Sequence, residues 1–94
     1  MINTKEKESI KLRLIKKQLE AVGYYVILSR ASLGPFDLVA LDKGGGKLIQ
    51  VKVNSYPDPA ERETLNSFDK CPFSFSKEAW TYYDGVKQPT IRYY

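Results

Sequence analysis

Three residues of this 94-residue chain combine types and spacing that could do chemistry: Asp37, Gln50 and Lys52. Asp37 opens an apolar run, Leu38-Val39-Ala40-Leu41, and a second run reads Leu48-Ile49-Gln50-Val51-Lys52-Val53. Alternate side chains of a strand share a face, so Gln50 and Lys52 point one way and Ile49, Val51 and Val53 the other. If Asp37 falls on the Gln50 and Lys52 side, three polar groups converge on an otherwise apolar sheet. A buried aspartate and a strand-centre lysine are each costly unless paired or bound to a metal. Two readings follow: a structural Asp37 to Lys52 salt bridge, or an Asp37 that merely caps its loop, against a carboxylate, amide and lysine site for hard-metal chemistry. Composition removes most competitors. Without a histidine the chain offers no Ser-His or Cys-His nucleophile, no histidine base and no histidine metal ligand. Its single cysteine, Cys71, makes neither an internal disulfide nor a cysteine zinc site and reads as a small core residue.

The elements that must position these residues are legible in the same way. From Lys5 to Val22 the pattern is an amphipathic helix with an apolar line of Leu12, Ile15, Leu19 and Val22, ended by Gly23. One step back along that line stands Glu8, so an acid continues the core-facing stripe. Tyr24 to Leu28 reads as a strand and Ser29 to Pro35 as a loop. Phe36 to Leu41 and Lys47 to Val53 read as strands joined by a glycine-rich hairpin. Asp58-Pro59-Ala60-Glu61 starts a second helix, with an acid cap, proline at the first position and glutamate three residues after the cap, expected to run to about Phe68. Ala79 to Tyr83, Asp84-Gly85 and Val86 to Tyr94 read as a further hairpin, with Pro89 marking an edge strand. The expected architecture is a small α/β domain spanning residues 1–94, with an α-β-β-β-α-β core in which helices flank a mixed sheet.

Charge points to the class of partner. Residues 1–30 carry seven basic and three acidic side chains while the rest is balanced, so the whole net charge of +4 sits in the first third. A localised positive field suits a polyanion, against the plainer reading of a solvated lysine-rich helix face. No apolar run reaches the roughly 18 residues of a membrane span, and an intracellular, cytoplasmic protein is expected.

Gly34-Pro35-Phe36-Asp37, the apolar strand, the glycine hairpin and then Gln50-Val51-Lys52 resemble the PD-(D/E)XK, or restriction-endonuclease-like, nucleases. Within that superfamily the pattern is similar to the archaeal Holliday-junction resolvases and their viral and plasmid relatives. The basic helix, Gly23-Tyr24-Tyr25-Val26, the loop from Ser29 to Gly34 and the aromatic segment Lys77-Glu78-Ala79-Trp80-Thr81-Tyr82-Tyr83 extend the likeness over most of the chain. The resemblance implies a homodimeric endonuclease that needs Mg²⁺, or Mn²⁺ in its place, and cuts branched DNA. It makes Asp37 and Gln50 metal ligands together with the carbonyl of Val51, and Lys52 the catalytic lysine. It further implies that Glu8 stands near the metal and that Arg30 and Ser32 approach DNA.

Two departures qualify the likeness. Gln50 stands where most members carry Glu or Asp, which keeps an oxygen ligand but removes a charge that attracts Mg²⁺. Glu8 lies one turn earlier than the usual helix acid, which would fall on Leu12; the plain alternative is a first-turn acid favoured by the helix dipole. For Arg30 and Ser32 the alternative is a polar exposed loop. Lys5, Lys11 and Lys16, with Arg13 and Lys17, would extend a phosphate-binding surface, although they circle the helix and cannot all face one duplex. Trp80, Tyr82 and Tyr83 read as core or interface residues before base-stacking platforms. A nuclease-derived protein that binds DNA without cutting it, and a nuclease for RNA or for linear or flapped DNA, are the competing functions.

Overall fold

The structure, a computed structural model, describes residues 4–29 and 35–94, with Thr4 and Lys5 described in backbone only. Helix α1, Thr4–Ala21, follows the apolar spacing: Ile15 and Leu19 are buried and Leu12 packs against the same cluster. The line stops a turn sooner than expected, because Val22 is 72% exposed. The helix has already been closed there. Gly23 takes φ 104°, its N–H donates to the Glu20 carbonyl and the Tyr24 N–H donates to the Leu19 carbonyl, a left-handed cap that turns Val22 outward.

Strand β1, Tyr25–Leu28, pairs antiparallel with β2, Leu38–Asp42, which pairs antiparallel with β3, Gly45–Val53. The hairpin turn is two residues, Lys43 and Gly44, so β3 begins earlier than expected, at Gly45. Only glycine fits that position, since its φ is 151° and a Cβ would run into the Ser74 carbonyl. Helix α2, Pro59–Ser67, is the crossover to β4, Phe75–Tyr82, which lies parallel to β3, and β5, Thr90–Tyr93, closes the sheet antiparallel to β4. The sheet order is β1-β2-β3-β4-β5.

α2 starts as its sequence dictates: the Glu61 N–H donates to the Asp58 carboxylate and the Asp58 N–H to the Glu61 carboxylate. Its far end is held by Lys77, whose ammonium donates to the carbonyls of Leu65 and Phe68 at 2.7 and 3.2 Å. The expected tight turn at Asp84-Gly85 is instead a longer connection, residues 83–89. Asp84 is tied outward, its N–H to Asn54 and its carboxylate to Lys7 and the Asn54 amide, so it does not close a two-residue hairpin.

The sheet divides two apolar clusters. Under α1 lie Ile15, Val26, Leu38, Ile49, Val51, Trp80 and Tyr82; under α2 lie Phe36, Leu48, Leu65 and Ala79, with Phe36 edge-on to Phe68. Full burial of each large side chain contributes roughly 1.5–3 kcal/mol, so both faces of β3 are anchored and its register is not free to slip. No helix among the described residues is long and apolar enough to cross a membrane.

Candidate active site

The polar residues meet where β2 and β3 begin to separate. Asp37 lies one residue before β2, and its backbone is gripped on both sides: its N–H donates to the Ile49 carbonyl and its carbonyl accepts from the Ser29 N–H, both at 2.8 Å. The paired register begins at Leu38, opposite Ile49, so Asp37 stands just outside it, while Gln50 and Lys52 share one face of β3. Asp37 is nonetheless close enough to Lys52 for that charge to act on its carboxyl. One carboxylate oxygen of Asp37 reaches along β3 to accept the Val51 N–H at 2.7 Å. Asp37 is half-buried, and its carboxyl is held above the ordinary aspartate range, chiefly by burial, while the Val51 amide and the charge of Lys52 pull the other way.

The Asp37 to Lys52 salt bridge weighed above is not made. Lys52 instead donates to Glu61 of α2 at 2.7 Å. Glu61 thus does two jobs, one oxygen capping α2 through the Asp58 N–H and the other holding the Lys52 ammonium. Sequence reasoning missed the second because the capping signature accounted for the residue completely. Gln50 is buried, and its side-chain oxygen has no hydrogen-bond partner. Val51 turns its side chain into the α1 cluster and offers only backbone to this face.

α1 brings Glu8 to the same place. Glu8 is half-buried, and its carboxyl is raised above the usual glutamate range, first by burial and then by the negative charge of Asp37, with Lys52 opposing and Glu61 adding. Among the described residues no three His, Cys, Asp or Glu side chains stand together closely enough to hold a metal. The oxygen donors here are two carboxylates and one amide, an inventory that suits a hard, oxygen-preferring cation and no soft one.

The residues expected to meet phosphates are scattered. The Lys11 ammonium lies 4.9 Å from the centre of the Tyr82 ring, and Lys16 pairs with Glu20 one helical turn on. Arg30, Ser32 and the side chain of Lys5 lie outside the described residues. Trp80 and Tyr82 are core residues, as their spacing suggests, and Tyr83 packs edge-on against Tyr56. The segment from Lys77 to Tyr83 also holds a second buried acid: Glu78 accepts from Lys47, Ser76 and the Trp80 ring nitrogen on the α1 face, away from Asp37.

No family model matches the chain, and neither does any curated protein. Among solved structures it is similar to the Holliday junction resolvase of Archaeoglobus fulgidus, an archaeal hyperthermophile, with a TM-score of 0.63 and 24% identity over 87% of this chain and 73% of that one. At that identity the likeness is one of fold. The chain shares the fold of that structure and has the α/β architecture expected from its sequence, a mixed five-stranded sheet flanked by two helices.

Proposed function

We propose that this chain is a metal-dependent endonuclease that hydrolyses phosphodiester bonds of DNA, in branched substrates such as four-way junctions. The observation that carries the reading is the buried, unpartnered oxygen of Gln50, next in the chain to Val51, whose N–H the half-buried Asp37 accepts, on a fold shared with a resolvase. A buried polar atom without a protein partner calls for an explanation, such as a water or an ion that it would bind. The donor set fits a hard cation: Asp37, with one oxygen held by the Val51 amide and the other available, Gln50, the Val51 carbonyl, and Glu8 from α1. Mg²⁺ is the expected ion and Mn²⁺ its substitute. When bound, it supplies an activated water and offsets charge developing on the phosphate. The protein's own part is electrostatic. Lys52 places an ammonium on the face of Asp37 and Gln50, where it stabilises the negative charge that grows on the phosphate, and Glu61 restrains it there.

The unit is read as one domain over residues 1–94, working inside the cell as a homodimer so that two sites nick opposed strands. The edge strand β5, exposed along its whole length and carrying Ile91 and Tyr93, supports association through that side. A second reading, a protein of this fold that binds branched DNA without cutting it, is favoured by the neutral Gln50 and by Lys52 being engaged by Glu61.

The test is cleavage of a labelled panel of four-way junction, fork, duplex and single strands, with Mg²⁺, Mn²⁺ or chelator. Metal-dependent cutting of the junction by the wild type, absent in Asp37→Ala and Lys52→Ala, is the expected outcome. Tight junction binding without cutting in either metal establishes the second reading.

A further inference from the structure

Beside α1, on the sheet face away from Gln50 and Lys52, a cleft of about 430 Å³ opens between the helix and the 83–89 connection. Its volume falls within the range of small-ligand sites. Two kinds of surface meet in it. The ends of β3 and β4 give it Val53 and Tyr82, and Ile10 and Val86 complete an apolar wall. Lys7, Lys11 and Lys87 bring ammonium groups to it against one acid, Asp84, which is already paired with Lys7 at 3.0 Å. Lys87 is exposed and has no acidic partner among the described residues.

Tyr82 supplies the independent observation. It is 1% exposed, and its hydroxyl has no hydrogen-bond partner. The ring carries the Lys11 ammonium over its face, which holds that cation at the cleft wall. Burial pushes the hydroxyl up to about 12, which keeps it a neutral donor throughout the physiological range.

We propose that this cleft is a binding site for a single nucleotide unit, its planar base against the apolar wall and its phosphate among the lysines. A bare phosphate or sugar phosphate would use the ammonium groups and leave the apolar wall wet, and an apolar ligand would leave the cationic side unused. The inference goes beyond the nuclease reading and does not depend on it, because the cleft lies on the other face of the sheet and binds whether or not the chain cuts DNA.

The experiment is titration of the full chain, in chelator, with deoxyadenosine monophosphate, inorganic phosphate and deoxyadenosine, followed by calorimetry and by backbone amide shifts. The mononucleotide should bind about tenfold more tightly than either half, with shifts centred on Gly85, Val86 and Lys87. Tyr82→Phe should weaken it about fivefold, the worth of one hydrogen bond, while melting no lower than the wild type, and Lys87→Ala should weaken it in a salt-dependent way. A 5′-phosphorylated oligonucleotide that binds more tightly than the mononucleotide marks the ligand as a strand end; equal or weaker binding marks it as a free nucleotide. Inorganic phosphate binding as well as the nucleotide, an unaltered affinity in Tyr82→Phe, or shifts confined to other segments each overturn the assignment. Failure of junction cleavage leaves all these outcomes readable.

Discussion

Asp37→Asn and Asp37→Ala should separate in stability although both remove the same charge. The Asp37 side chain does one structural task, accepting the N–H of Val51, a residue 2% exposed. Alanine leaves that amide unpaired, at a cost of about 1–3 kcal/mol, and for a domain of this size each kcal/mol moves the melting temperature by about 4–8 °C. Asparagine keeps an oxygen for Val51 and removes a carboxylate that burial disfavours. It should melt no lower than the wild type and up to about 1 kcal/mol more stably at neutral pH, a size typical of relieved functional sites. The sign with pH follows from a folded pKa raised above the ordinary aspartate value of 3.8. The stabilising contribution is present below 3.8 and is lost as pH rises through the folded value, so the wild type is penalised at neutral pH and asparagine is not. The advantage of Asp37→Asn should shrink as pH falls toward 3.8. Thermal and urea unfolding of the three proteins across that range measures it. An Asp37→Asn variant as unstable as Asp37→Ala would refute the argument, since the charge itself would then be stabilising.

The same site and its surroundings give three further expectations. Gln50→Glu adds a carboxylate beside Asp37, so it should lower the Mg²⁺ concentration needed for both cleavage and thermal stabilisation; an unchanged metal titration removes Gln50 from the ligand set. Glu61→Gln preserves an acceptor for the Asp58 N–H but takes the acid from Lys52; because that pair is 20% and 32% exposed, the loss should stay below about 1 kcal/mol, with the helical circular dichroism of α2 retained. Glu78→Ala should be far more damaging, by about 3 kcal/mol in urea unfolding, because it strands Lys47 and the Trp80 ring nitrogen around a fully buried position.

What could be read from the sequence was what is decided locally. Gly23, the Asp58 to Glu61 cap and the glycine hairpin each carry their own geometry, and strand alternation alone puts Gln50 and Lys52 on one face. What escaped depends on where distant elements dock. Phe75-Ser76-Lys77-Glu78 looks too polar for a central strand, and β4 was expected to begin only at Ala79. Lys77 is used up on α2 carbonyls and Glu78 on three donors, so polarity that seems to forbid a strand is satisfied by partners far along the chain. The partner of Lys52 escapes the sequence for the same reason: strand logic offers only Asp37 as an acid for it, but the capped start of α2 presents Glu61 directly to the ammonium. Glu8 is legible as an acid on an apolar line, and only the seating of α1 on β1 and β3 brings its carboxyl under the influence of the Asp37 charge.

The two buried polar groupings of this sheet argue for different purposes. Glu78 is fully buried and receives a lysine, a serine hydroxyl and an indole N–H, so the chain is able to satisfy an internal carboxylate when the role is structural. On the other face it does not. Gln50 keeps a buried oxygen unpartnered, Asp37 is held by a single amide, Glu8 adds negative charge to a site that burial already disfavours, and the one lysine at hand is turned to Glu61. A fold that compensates one acid and leaves its neighbours short is better explained by a ligand at the second place than by loose packing there, because Leu48, Leu65 and Phe36 pack tightly on the same face. A divalent cation held by Asp37, Gln50 and Glu8 would relieve these deficits together, giving Gln50 a partner and offsetting the negative charge of Glu8 and Asp37. Added Mg²⁺ should accordingly raise the melting temperature of the wild type, by an amount equivalent to about 2.7 kcal/mol at a hundred times its dissociation constant, and leave Asp37→Ala unmoved. Equal stabilisation of the two proteins would place the ion elsewhere and return Gln50 to an unexplained buried polar atom.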